Sequence, residues 1–185
     1  MPRLQRSESL LVIIDVQERL MPVIDRAADV IRNIDRLIRG CHVLDALPVV
    51  VTEQYVKGLG PTIEPLRRAL EETYGYSPIG KTCFSASGSG EFQAAMRLAR
   101  RKQIIVAGVE THVCVYQTVS DLLVAGHEVT LIADAVSSRS AENREIATRR
   151  MVADGAKLSS TEMALFELAV NSGTEEFRTI SRLVK

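Results

Sequence analysis

Leu10-Leu11-Val12-Ile13-Ile14-Asp15 places five aliphatic residues in a row and ends them with a carboxylate. A run with no polar alternation reads as a strand buried on both faces, which is the habit of a parallel sheet covered by helices. Similar apolar runs follow at 48–53, 103–108 and 128–133, and shorter ones at 77–81 and 156–160. Longer segments of helical period separate them. Ile31, Ile34, Leu37, Ile38, Cys41 and Leu44 recur at three- and four-residue steps, so they form one stripe of a long helix with Cys41 in the core. Further helices are expected over 91–101, 112–125 and 140–154, with Gly126 and Gly155 stopping the last two and Ser89 capping the first. The spacing Ser159-x-x-Glu162 predicts a capping box opening a helix to residue 168. Gly173 breaks it, and 174–183 forms a closing helix. The segment 53–65, with Gly58, Gly60, Pro61 and Pro65, reads as one long irregular loop.

This alternation predicts an α/β fold of six strands in a single domain over residues 1–185. Lys plus Arg and Asp plus Glu are both 23, aromatic residues are 4%, and no apolar run approaches a membrane span. Neither a nucleic-acid partner nor a membrane is expected from these values. The polar first residues lead straight into the strand, so no secretory signal is read there. Cys41, Cys83 and Cys114 are odd in number and form no CxxC pair, which points to a reducing, cytoplasmic setting with neither a disulfide framework nor a zinc site.

In sheets of this kind ligands gather beyond the carboxyl ends of the strands, where strand order reverses. Asp15 closes the first strand, Lys81 closes the third, and Cys114 follows the fourth at the start of a helix. Each has a plain structural explanation: a turn cap, a solvated charge, a small buried hydrophobe. Together they form a nucleophile set. A helix amino terminus and a nearby ammonium favour the thiolate, and a carboxylate in reach can take a proton and return it. His112 lies two residues before Cys114, a spacing that points the two side chains apart on a helix. His42 and His127 have no ligand spacing, so no metal and no cofactor is expected. Gly58-Leu59-Gly60 and Gly88-Ser89-Gly90 do not occupy the first strand-to-helix turn, which here reads Asp15-Val16-Gln17-Glu18, so a dinucleotide site is rejected. A disulfide between Cys83 and Cys114 would define a redox sensor as a further alternative.

The ordered segments Val12-Ile13-Ile14-Asp15-Val16-Gln17, Gly80-Lys81-Thr82-Cys83-Phe84-Ser85 and Ala107-Gly108-Val109-Glu110-Thr111-His112-Val113-Cys114-Val115 resemble the three signature segments of the isochorismatase-like hydrolase superfamily. The resemblance runs from about residue 8 to 170. Thr52-Glu53-Gln54-Tyr55-Val56-Lys57-Gly58-Leu59-Gly60 is similar to the short isochorismatase-domain-containing proteins. The resemblance implies a Rossmann-like three-layer α/β/α sandwich with a six-stranded parallel sheet of order 3-2-1-4-5-6. It implies a catalytic triad of Asp15, Lys81 and Cys114, a cis peptide between Val109 and Glu110, an oxyanion hole from the N–H groups of Glu110 and Cys114, and a homo-oligomer. Nicotinamidases carry metal-binding histidines after the second strand, and Thr52-Glu53-Gln54-Tyr55 has none. The expected activity is hydrolysis of a small amide or related C–N bond through Cys114. The alternatives are vinyl ether cleavage, as in isochorismatases proper, or a non-catalytic binding or assembly module. Gln17, Tyr55, Phe84 and Glu110 are the expected walls for a small-molecule substrate.

Overall fold

Strands without a polar face must be covered on both sides, and the sheet is built accordingly. The computed structural model of the chain describes residues 3–185. Its strands are β1 (Ser9–Ile14), β2 (Val49–Gln54), β3 (Ile79–Lys81), β4 (Gln103–Val109), β5 (Glu128–Ser137) and β6 (Lys157–Ser159). They lie in the order β3-β2-β1-β4-β5-β6, with every neighbouring pair parallel. Every residue of the two central strands, β1 and β4, is buried. The expected sheet order is therefore the observed one.

The helices are α1 (Ala27–Val43), α2 (Val56–Leu59), α3 (Glu64–Thr73), α4 (Gly90–Ala99), α5 (Tyr116–Val124), α6 (Ala141–Ala153), α7 (Thr161–Ala169) and α8 (Glu175–Val184). One layer packs α1 against α3, α7 and α8, and the other brings α5 against α6. The period of two along β1 divides the core between them. Leu11 and Ile13 join Ile34, Leu37, Ile38 and Cys41 of α1. Leu10, Val12 and Ile14 join Phe92, Val119, Leu122 and Met151 on the opposite face. Cys41 is thus a core residue, and burial pushes its thiol up to about 12.

Several expected boundaries change. The segment 53–65 is not irregular throughout: it holds α2, and an antiparallel bridge joins Gln17 to Thr62. The sequence reading passed over α3, whose buried stripe is just Leu66, Ala69 and Leu70 and whose first turn contains a proline. The cap of α7 is Ser160, which accepts from the Met163 N–H at 3.2 Å, because Ser159 is still in β6. That helix ends before Gly173, at Ala169, with Val170 at φ +65°. The fifth strand runs to Ser137 after a register shift between Val106 and Gly108. Gly126 and Gly155 adopt φ +87° and +112° at the ends of α5 and α6, as read from sequence.

Gly108 of β4 leaves no room for a side chain against β1. It has φ +123°, and a Cβ there would lie 2.1 Å from the Ile14 carbonyl oxygen. Backbone can be neither pushed aside nor flexed like a side chain, so Gly108→Ala is expected to cost about 3 kcal/mol or more. Urea unfolding checks this, and a loss under about 1 kcal/mol would show that the strands separate more easily than their packing implies.

Candidate active site

The strand order reverses between β1 and β4, and the three residues singled out from sequence lie around that reversal. Asp15 follows β1 with φ +53°, a left-handed conformation that aspartate tolerates better than most residues. This turns the chain out of the sheet at its carboxyl edge. Lys81 is the last residue of β3. Cys114 sits in the wide helical turn Thr111–Val115, which leads into α5. The Val109–Glu110 peptide bond before that turn is cis.

Lys81 Nζ donates to Asp15 Oδ2 at 2.7 Å, and both side chains are fully buried. An ion pair removed from water is tolerable only when its remaining hydrogen-bonding capacity is used. Thr52 Oγ1 donates to Asp15 Oδ1 at 2.7 Å, and the Asp15 N–H donates to the Thr52 carbonyl at 3.1 Å. The ammonium also donates to Gln54 Oε1 at 2.8 Å and to the carbonyls of Phe84 and Cys83 at 3.1 and 3.3 Å. Three N–H groups thus face four acceptors, of which one is charged.

Cys114 is 6% exposed. Its thiol is pushed up to about 12, first by burial and then by the Asp15 charge, with Lys81 acting in the opposite direction. This corrects the expectation of a thiolate favoured by its helix address: burial and the carboxylate outweigh the ammonium, and the group is a thiol at neutral pH. The thiol turn is tied to the segment after β3, since Thr118 Oγ1 donates to the Cys114 carbonyl at 2.7 Å and accepts from the Ala86 N–H at 2.9 Å. His112 Nδ1 pairs with Ser138 Oγ at 3.0 Å rather than with the thiol.

A cavity of about 530 Å³ opens beside this cluster, lined by Tyr55, Lys57, Lys81, Thr82, Cys83 and Ser89 among others. Tyr55 thus lines this cavity. Three other expected wall residues are used differently. Gln17 is fully buried, and its amide is taken up by the backbone of Gln54 and Gly60. Phe84 turns its carbonyl to Lys81 while its ring is half exposed. Glu110 is buried with Oε2 accepting from the Arg139 N–H at 2.9 Å and Arg139 Nε at 3.1 Å. Sequence reasoning missed Thr52, Gln54 and Arg139. The first two were visible as polar residues of like parity at the end of an apolar strand, whereas Arg139 carried no signal.

The Isochorismatase domain family matches residues 9–163. The chain belongs to the isochorismatase family. Isochorismatase domain-containing protein 2 of Danio rerio is 36% identical over 98% of this chain and 89% of its own length. A protein of Phytophthora sojae described as a secreted isochorismatase effector is 36% identical over 99% of this chain and 87% of its own. The cytoplasmic setting expected from the cysteines is thus not one that every relative shares. The solved structure of a MAR1 ribonuclease from Caenorhabditis elegans superposes with a TM-score of 0.91 at 34% identity, covering 99% of this chain and 92% of that one. Among the described residues no helix is long and apolar enough to cross a membrane, and no group of three or more His, Cys, Asp or Glu side chains is placed to hold a metal ion.

Lys81→Met keeps much of the stem volume and leaves the Asp15 carboxylate buried without a counter-ion. Stability is expected to fall by about 3–5 kcal/mol, measured by urea unfolding at pH 7. A loss below about 1 kcal/mol would mean that water reaches the carboxylate.

Proposed function

We propose that this isochorismatase-family protein is a cysteine hydrolase that cleaves a small amide or related C–N bond through a covalent bond to Cys114. The observation that carries the reading is a buried carboxylate–ammonium pair, Asp15 with Lys81, whose charges both bear on the Cys114 thiol. Such a thiol has a base within its electrostatic reach and needs no preformed thiolate.

In the proposed reaction Sγ adds to the substrate carbonyl carbon as its proton passes to Asp15. The N–H groups of Glu110 and Cys114 receive the oxygen as it becomes negative. Asp15 then gives the proton to the leaving nitrogen as the C–N bond breaks, leaving a thioester. Water attacks the thioester carbon with Asp15 accepting its proton, and the proton returns to sulfur as the acid departs. Lys81 stays charged throughout and holds the carboxylate in line.

Two features support a nucleophilic reading over a vinyl ether reading. Protonating an enol ether calls for an acid alone and leaves the thiol without work. A structural relative from Pseudomonas aeruginosa, YcaC, 26% identical, is described with covalent acrylamide, a small electrophile that carries a carboxamide. The ribonuclease description of the worm relative belongs to that protein. In this chain 23 basic and 23 acidic residues cancel, which does not favour a phosphate backbone.

The test is intact-mass analysis during incubation with a library of small carboxamides. A transient acyl adduct on Cys114 is expected, with turnover lost by about 10⁴-fold or more in Cys114→Ala; near-normal turnover in that variant rules the mechanism out. The pH dependence is a second check. Because burial and the Asp15 charge push the folded thiol up to about 12, iodoacetamide labelling of Cys114 should keep rising through the ordinary thiol range of about 8.5. A plateau by pH 8 would show a preformed thiolate and remove Asp15 from the role of base.

A further inference from the structure

Thr52 and Gln54 are two residues apart on β2, so their side chains share one face of the sheet. Thr52 holds the carboxylate of the buried ion pair and Gln54 holds the ammonium, at 2.7 and 2.8 Å. Gln54 is also the residue directly paired with Lys81 in the register of β2 and β3. Its amide has one workable orientation. Nε2 donates to the Thr82 carbonyl at 2.8 Å, and an amide nitrogen has no lone pair to offer an ammonium, so flipping the group would lose both bonds.

The main chain of Gln54 is gripped as well. Pairing of β1 with β2 ends at Ile14 and Thr52, because Asp15 turns the chain away. The Gln17 side chain then takes over. Its Oε1 accepts from the Gln54 N–H at 2.7 Å, and its Nε2 donates to the Gln54 carbonyl at 2.9 Å and to the Gly60 carbonyl at 2.6 Å. A side-chain amide thus extends the ladder by one residue and keeps Gln54 from drifting.

We propose that Gln54 is a positioning residue of the reaction: a neutral carbonyl, locked from both ends, that keeps the Lys81 ammonium against Asp15 without adding charge beside Cys114. The proposal rests on the reading of Cys114 as nucleophile. The charged groups bearing on the thiol are Asp15 from the end of β1, Lys81 from β3 and Glu110 from the turn after β4, the last of these paired with Arg139. Asp15 and Lys81 cancel. A carboxylate at position 54 would leave that pair net negative and hold the proton on sulfur more tightly. An apolar side chain of similar length would keep the charge unchanged but free the ammonium to leave its place, weakening the help it gives the thiolate.

The experiment compares wild type, Gln54→Met and Gln54→Glu as full-length folded protein. Each is checked by a cooperative thermal melt and then labelled at Cys114 with iodoacetamide across pH, read by peptide mass spectrometry. Labelling at pH 8 is expected to slow by about threefold in Gln54→Met and about tenfold or more in Gln54→Glu, with profiles displaced toward higher pH in that order. On any carboxamide turned over by the wild type, Gln54→Met is expected to lower kcat by about 10²-fold with KM unchanged. Wild-type labelling profiles in both folded variants overturn the proposal, and if Gln54→Glu does not fold, a wild-type profile in Gln54→Met suffices. Full turnover in Cys114→Ala would instead defeat the nucleophile reading and leave the order of labelling rates unchanged, so the two failures are told apart.

Discussion

The contact between Lys81 and Asp15 is the constraint on which the rest of the site depends. Both groups are shut away from water, and neither tolerates that alone. The pair spans three strands: Asp15 leaves β1, Lys81 ends β3, and β2 between them supplies Thr52 and Gln54 as the ledge on which both charges rest. The cost of burying the charges is offset by hydrogen bonds that only a correctly registered sheet can supply. Slipping β2 by one residue would turn Thr52 and Gln54 to the other face and leave both ions unsupported.

The same burial explains the state of the thiol. A cysteine beside an ammonium is expected to ionise easily, and Lys81 does pull in that direction. The ammonium, however, is already compensated by Asp15, whose charge also faces sulfur. What reaches Cys114 is desolvation together with carboxylate charge that outweighs the ammonium, so the proton stays on sulfur until something nearby can accept it. On the proposed mechanism the Asp15 carboxylate, whose charge bears on sulfur, meets that need, and Lys81 holds it in place. The lysine, on that mechanism, orients the base more than it activates the nucleophile.

Around this centre the loops are tied down rather than loose. Glu53, facing away from Gln54 on β2, accepts from the Thr62 N–H and hydroxyl at 2.6 and 2.8 Å and from the Tyr76 hydroxyl. Burial and the Glu53 carboxylate together raise the Tyr76 hydroxyl above its ordinary range. With Gln17 holding Gly60, the segment carrying α2 and Tyr55 is anchored at both of its ends. One wall of the cavity beside Lys81 is therefore positioned by two buried polar side chains on adjacent strand ends.

The amino-acid sequence by itself determined the strands, the alternation with helices and the placement of Asp15 and Lys81 at strand ends and of Cys114 just past the fourth, because doubly buried strands leave continuous apolar runs and their ends leave polar punctuation, whereas the strand order followed from the family resemblance. The stripe of α1 with Cys41, the Ser89 cap and the glycines after α5 and α6 were legible for the same local reason. Helix α3 was not, since three apolar residues in ten make a faint period. Nor was the work of Gln17, Gln54, Glu110 and Arg139, whose partners lie 27 to 43 positions away in the chain for the bonds that matter here. Tertiary structure alone decided that the thiol keeps its proton. Ionisation answers to the summed field and solvent access at one atom, and those come from residues brought together by folding, not from neighbours along the chain.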